Sequence, residues 1–202
     1  MRPQYILILA ILFLGVKTHA QAPAQPRLIE PSACPFKIDS SFKTRCGYLL
    51  VPENRQKPNS PTIKLPFIIA YSKNPDKHKD PLLFTSGGPG GSSLGWINGA
   101  VKHSPIQDRD CIAFEQRGTR YALPALDGHT LSDAIKESYR INLDKDSMML
   151  VGVRRFKAEL EAKGIDLSGY NTDETVADID DLLIALHIDS VNLLGEIGHG
   201  AS

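Results

Sequence analysis

Short apolar runs alternate with turn formers and amphipathic stretches along this chain. "CGYLLVPENR" and "TIKLPFIIAYS" are rich in strand formers and divided by "QKPNSP", which is dense in turn residues. That pattern predicts an antiparallel pair at the entry to a sheet. Three later runs, "PLLFT" (81 to 85), "CIAF" (111 to 114) and "VNLLG" (191 to 195), are apolar on both faces and joined by segments long enough for helices. Strands of that kind belong to a parallel sheet covered on both sides, so the expected class is α/β, with a mostly parallel sheet flanked by helices. The best-marked helix spans about Asp173 to His187, with Val176, Ile179, Leu183 and Leu186 on one stripe and Asp178, Asp180 and Asp181 expected to face away. Asn171, with Glu174 three residues on, fits a capping box at its start. Residues 130 to 163 are charged and helix-prone, and carry no recognisable chemistry.

The N-terminus changes the picture of where the protein works. A basic start at Arg2, an apolar run from Tyr5 to Val16 and small residues up to Ala22 form the pattern of a secretory signal peptide, residues 1 to 22. The apolar run is too short for a membrane-spanning helix, so no membrane association is expected after its removal. The proline-rich stretch 23 to 33 is expected to be a linker, and 34 to 202 the folded part. Loss of residues 1 to 22 removes Arg2 and Lys17 and no acid, so basic residues fall from 23 to 21 against 23 acidic ones. That balance gives no electrostatic reason for a nucleic-acid partner. Export permits a disulfide. Cys34 and Cys46, which flank a short polar loop, are the expected pair, while Cys111 lies inside an apolar strand and is expected to be a core residue.

Candidate chemistry sits in "TSGGPGGSS", Thr85 to Ser93, directly after an apolar strand. Its glycines at 87, 88, 90 and 91 let backbone N–H groups share a space, and Pro89 stiffens the turn. Such a loop cradles a phosphate or stabilises an oxyanion. The phosphate motif is not matched and no lysine lies in the loop, and the dinucleotide fingerprint fails as well. No cofactor and no metal are expected, since the acidic run near Asp178 has no ligand partner at suitable spacing.

The stretches "CGYLLVPEN", "PLLFTSGGPGGSS", "DCIAFEQRGTR", "GIDLSGYNTDETVADIDDLLIAL" and "VNLLG" together resemble the α/β-hydrolase fold, and within it the secreted proline iminopeptidase and tripeptidyl aminopeptidase group of serine peptidases. The resemblance covers most of residues 34 to 195 and implies an incomplete α/β-hydrolase fold, its N-terminal strands. It implies that the loop Gly87 to Gly91 supplies an oxyanion-hole donor, the N–H of Gly88, and that Arg117 holds loops around the site. Two departures stand out: Ser86 occupies a position where many relatives have His, and Arg120 with Ala122 replaces a usual Gly and Ser. The nucleophile elbow G-x-S-x-G would fall just beyond "VNLLG". One register puts Ile197 at the serine position and the other puts Gly198 there, and neither offers a hydroxyl. His199 and Ser202 fall in unsuitable places for base and nucleophile.

The expected function is therefore the N-terminal portion of a secreted or periplasmic serine hydrolase whose parent releases residues or short peptides from peptide N-termini, or cleaves small esters or amides. The triad's Asp and His would follow strands beyond these residues, so the chain as given is expected to be inactive. The competing expectation is a non-catalytic secreted binding protein on a hydrolase scaffold.

Overall fold

The structure, a computed structural model, describes residues 28–87, 90–100, 108–126 and 128–196. The expected signal peptide, residues 1 to 22, and residues 23 to 27 of the expected linker lie outside the described residues. Among the described residues six strands form one sheet: β1 (Leu28–Pro31), β2 (Thr44–Pro52), β3 (Thr62–Ala70), β4 (Leu82–Ser86), β5 (Cys111–Phe114) and β6 (Asn192–Glu196). Their spatial order is β1-β2-β3-β5-β4-β6. The expected antiparallel pair β2–β3 is present, with Leu49 opposite Leu65. β4 pairs with β5 and with β6 in parallel.

Two expectations change here. The sheet is mixed, with three antiparallel and two parallel pairings, instead of mostly parallel. The cause is β3, which meets β5 antiparallel, together with β1, which adds an antiparallel edge. That edge is built from Leu28–Pro31, inside the stretch read as a linker. Proline is tolerated there because an edge strand can spare one ladder donor.

Alternation along the strands divides the core into two layers, as period-2 side-chain geometry requires. Leu49, Leu65, Phe67, Leu83, Ile112 and Phe114 point to one face. That face is covered by helix α4 (Thr172–Ala185), whose Leu182 is fully buried. Ile68, Ala70, Cys111 and Ala113 point to the other, beneath α1 (Trp96–Ala100) and the segment from Cys34 to Phe42. Trp96 stacks on Phe84 with ring centroids 4.4 Å apart, which fixes α1 on that face. The Cys34–Cys46 disulfide forms as expected, with Cα atoms 5.2 Å apart, and ties the N-terminal segment to β2.

The charged stretch 130 to 163 is a helical hairpin, α2 (His129–Arg140) and α3 (Lys145–Ala162). Asp144 caps α3 by accepting from the Ser147 N–H at 2.8 Å. Among the described residues no helix is long and apolar enough to cross a membrane.

Helix α4 begins where the sequence marks it, for Asn171 Oδ1 accepts the Glu174 N–H at 2.9 Å. The predicted stripe holds at Ile179, Leu183 and Leu186, which pack against the core, and fails at its first position. Val176 is 61% exposed whereas Asp178, expected in solvent, is 0% exposed. Glu174 also turns inward, its carboxylate accepting from the Arg55 N–H at 2.8 Å instead of closing the capping box. The physical reason is an ionic cluster that faces the sheet, described below.

Cys111 is fully buried, as expected. Burial, and secondarily the charge of Asp110, push its thiol up to about 12. Since the thiolate is the reactive species, the native protein at pH 8 is expected to take up no iodoacetamide, and one label per chain only in denaturant. Intact mass measurement checks this; rapid labelling of the folded chain would contradict the buried placement.

Candidate functional site

The strand order reverses at β4: the chain leaves it for β5 on one side and reaches β6 on the other. In open sheets of this kind ligands bind outside the carboxyl ends of the strands at such a reversal. Because β4, β5 and β6 are parallel, Ser86, Phe114 and Glu196 lie towards one edge of the sheet. The described limbs of the glycine loop and the turn "EQRGT" therefore gather at the same place.

The loop is held from both sides. The Ser86 N–H donates to Ser93 Oγ at 2.9 Å, and Gln116 Nε2 donates to the Ser86 carbonyl at 3.0 Å. These two bonds close the loop at its neck. Gly91 lies against the opposite limb: a Cβ there would sit 2.6 Å from the Gly87 carbonyl oxygen and 2.8 Å from Ser86 Oγ. Only glycine fits that approach.

Beneath the loop lies Glu115, 0% exposed. Its Oε2 accepts from Ser92 Oγ at 3.0 Å and from the N–H groups of Ser93 at 3.1 Å and Leu94 at 3.3 Å. Its Oε1 accepts from Thr119 Oγ1 at 2.9 Å and the Tyr121 N–H at 3.3 Å. A buried carboxylate with no cation beside it is tolerated when hydrogen bonds replace its hydration. Glu115 thus joins the glycine loop to the turn after β5. It also takes up the N–H groups of Ser93 and Leu94 at the far end of the loop, so these two are engaged within the protein.

Two residues along, Arg117 points the other way, with 1% of its side chain exposed. It makes a bidentate pair with Asp178, one arm at 2.8 Å, and lies 3.1 Å from the Glu174 carboxylate. Its remaining N–H groups donate to the carbonyls of Pro52 at 3.0 Å, Gly169 at 2.8 Å and Glu53. Arg55 completes the cluster with Glu174, Asp178 and Asp181. Around it, Glu53 accepts from Tyr170 Oη at 2.9 Å, and burial followed by this bond raises the phenol above its ordinary range. Gly169 passes so close that a Cβ would lie 2.0 Å from the Glu53 carbonyl oxygen. Arg117 is therefore the post on which β2, α4 and the turn after β5 are fixed together.

Of the residues the sequence assigns to a site, Arg117 is placed as a holder of neighbouring loops. Gly88 and Gly198 lie outside the described residues, as do Pro89, Ile197, His199 and Ser202. Glu115, Ser93 and Thr119 are further residues of the site that the sequence reading does not assign. A signal for them existed in the sequence, an acid following an all-apolar strand with no break. Among the described residues no group of acids, histidines or cysteines is arranged to hold a metal. No family model matches the chain, and no curated protein matches it.

Proposed function

We propose that this protein is an exported protein on the scaffold of a serine hydrolase, of the kind found in secreted proline iminopeptidases and tripeptidyl aminopeptidases. Its ligand site is the loop edge at the carboxyl ends of β4, β5 and β6. The loop Gly87 to Gly91 faces the carbonyl of a small peptide, ester or amide there and supplies main-chain donors to it, Gly88 among them. The observation that carries this is the glycine loop at the reversal of the strand order, braced by the fully buried Glu115. The Cys34–Cys46 disulfide supports an oxidising compartment, outside the cell or in the periplasm.

In the sequence after Glu196, the elbow that the resemblance implies has Ile197 or Gly198 where a serine would stand. Without a serine at that position the loop binds without efficient turnover, because donors and binding with the nucleophile removed leave roughly 10³ to 10⁴ over the uncatalysed rate. The same lack of a hydroxyl favours, as the second reading, a binding protein with no chemistry at all.

Backbone amide NMR tests the site. Titration with a short proline-containing peptide amide is expected to move the Gly87, Gly90, Gly91 and Ser92 signals saturably. Gly91→Ala, which must force the loop open, is expected to abolish the effect. Perturbations that avoid these signals, or that survive in Gly91→Ala, reject the site. A fluorophosphonate probe is expected to leave the chain's mass unchanged, and a stable adduct would show a nucleophile that the elbow does not provide.

A further inference from the structure

The opposite end of the sheet carries a pocket that the loop edge does not use. It has a volume of about 170 Å³ and is floored by Ile69, Ile112, Leu186 and Ile188. Ile69 and Ile112 are direct partners across β3 and β5, and Arg45 is the partner of Ile69 on β2. The sheet register therefore sets a guanidinium at the mouth of an apolar floor. Lys79, just before β4, reaches the same mouth, and Tyr71 forms a wall.

The charges here do not balance. Asp110 is the carboxylate lining the pocket, and both its oxygens are engaged by Lys77 at 2.6 and 2.7 Å, with the Ser72 N–H at 2.8 Å on one of them. Arg45 and Lys79 have no ion-pair partner among the described residues, and both are exposed at the rim. Lys43 stands 5.6 Å from the Tyr71 ring and adds to the positive potential, whereas Lys77 is offset by Asp110. By contrast, the larger groove beside Ile165 and Leu167 has its lysines paired internally, Lys57 with Asp166 and Lys157 with Glu161, and so offers no such excess.

We infer that the pocket between Ile69, Ile112 and Ile188 is a binding site for a small amphipathic carboxylate, its hydrocarbon or aromatic body on the isoleucines and its charge between Arg45 and Lys79. An apolar floor with a few convergent polar groups is the general form of a small-molecule site. Here the volume restricts the ligand to one short branched or aromatic group. A guanidinium presents a fork that matches a carboxylate, and the flexible ammonium of Lys79 serves as a second point charge. The site is independent of the chemistry at the glycine loop, since it lies at the other ends of the same strands.

Methyl NMR of the full chain with phenylacetate as probe tests this. Saturable shifts are expected at the methyls of Ile69, Ile112, Leu186 and Ile188, with the Gly87 to Gly91 amides unmoved. Acetate, which lacks the apolar body, and phenylacetamide, which lacks the charge, are each expected to bind more weakly. The double variant Arg45→Gln/Lys79→Gln is expected to weaken phenylacetate by on the order of 5- to 10-fold, the scale for two partly exposed charge contacts. Both side chains are at the rim, so its melting temperature is expected to stay near the parent's, and Lys79→Gln alone gives a smaller loss that serves if the double variant folds poorly. Equal binding of phenylacetamide, unchanged affinity in the variants, or shifts that never saturate would each overturn the assignment.

Discussion

Arg117→Met is expected to destabilise the fold by about 3 to 5 kcal/mol, the scale for removing one partner of a buried ion pair. The large value follows from what remains. Asp178 is 0% exposed and would lose both bonds of its bidentate pair, and the carbonyls of Pro52, Glu53 and Gly169 would lose their donors together. Methionine fills much of the volume, so the loss reports charge and hydrogen bonding more than a cavity. A pH signature separates the two. Burial already pushes the Asp178 carboxyl up, and Arg117 is the largest influence opposing it. Without Arg117 the folded-state value rises further above the unfolded one, so the folded chain binds more protons and its stability falls as pH increases. Urea denaturation is therefore expected to show a greater loss at pH 8 than at pH 5. A pH-independent loss would mean that the cluster acts by packing alone. Arg117→Met with Asp178→Leu is expected to recover part of the stability, because an apolar pair of suitable volume can replace a buried ionic one.

Glu115→Gln is expected to lower stability by about 2 to 4 kcal/mol and to loosen the glycine loop selectively. The substitution keeps the shape and exchanges one accepting oxygen for an NH₂ group. On one side that group would face the Ser93 and Leu94 N–H groups; on the other, the Tyr121 N–H. Either orientation sets donors against donors in a buried place, at about 1 to 3 kcal/mol for each group left unpaired. Amide hydrogen exchange is expected to accelerate at Ser93 and Leu94 ahead of the β2–β3 strands, as local opening of a loop requires. Unchanged exchange there, with unchanged melting, would show that the carboxylate does not brace the loop.

The two residues illustrate how far a local pattern reaches. "CIAFEQRGT" shows a buried strand and the turn after it, and Arg117 reads as a holder of loops. Which loops it holds depends on Asp178, 61 residues away, and on Pro52, 65 residues away. Helix α4 makes the same point. Its start is legible because Asn171 and Glu174 interact within one turn. Its inward face is legible only at Ile179, Leu183 and Leu186, because in its first turns the hydrophobic stripe competes with two arginines that arrive from the ends of β2 and β5. Once these cations sit beneath the helix, burying Asp178 and Glu174 opposite them is better than burying Val176.

β6 shows the remaining side of the comparison. The run Val191 to Leu194 has the composition of a central strand, yet in the described residues it lies last in the sheet order, with Leu193 67% exposed. Composition records the burial a strand is suited to, whereas the sheet order records the neighbours it has.

Sequence alone located strands β2 to β6, the start of α4 and the glycine loop after β4, and made Cys34 and Cys46 the expected pair without fixing it, because apolar periodicity, capping and turn chemistry act over a few residues. Tertiary structure alone decided the antiparallel join of β3 to β5, the β1 edge within the expected linker, the inward Asp178 and the clamp around Glu115. Each of these depends on which distant segments become neighbours, and a buried charge settles only where the fold brings it enough partners to replace water.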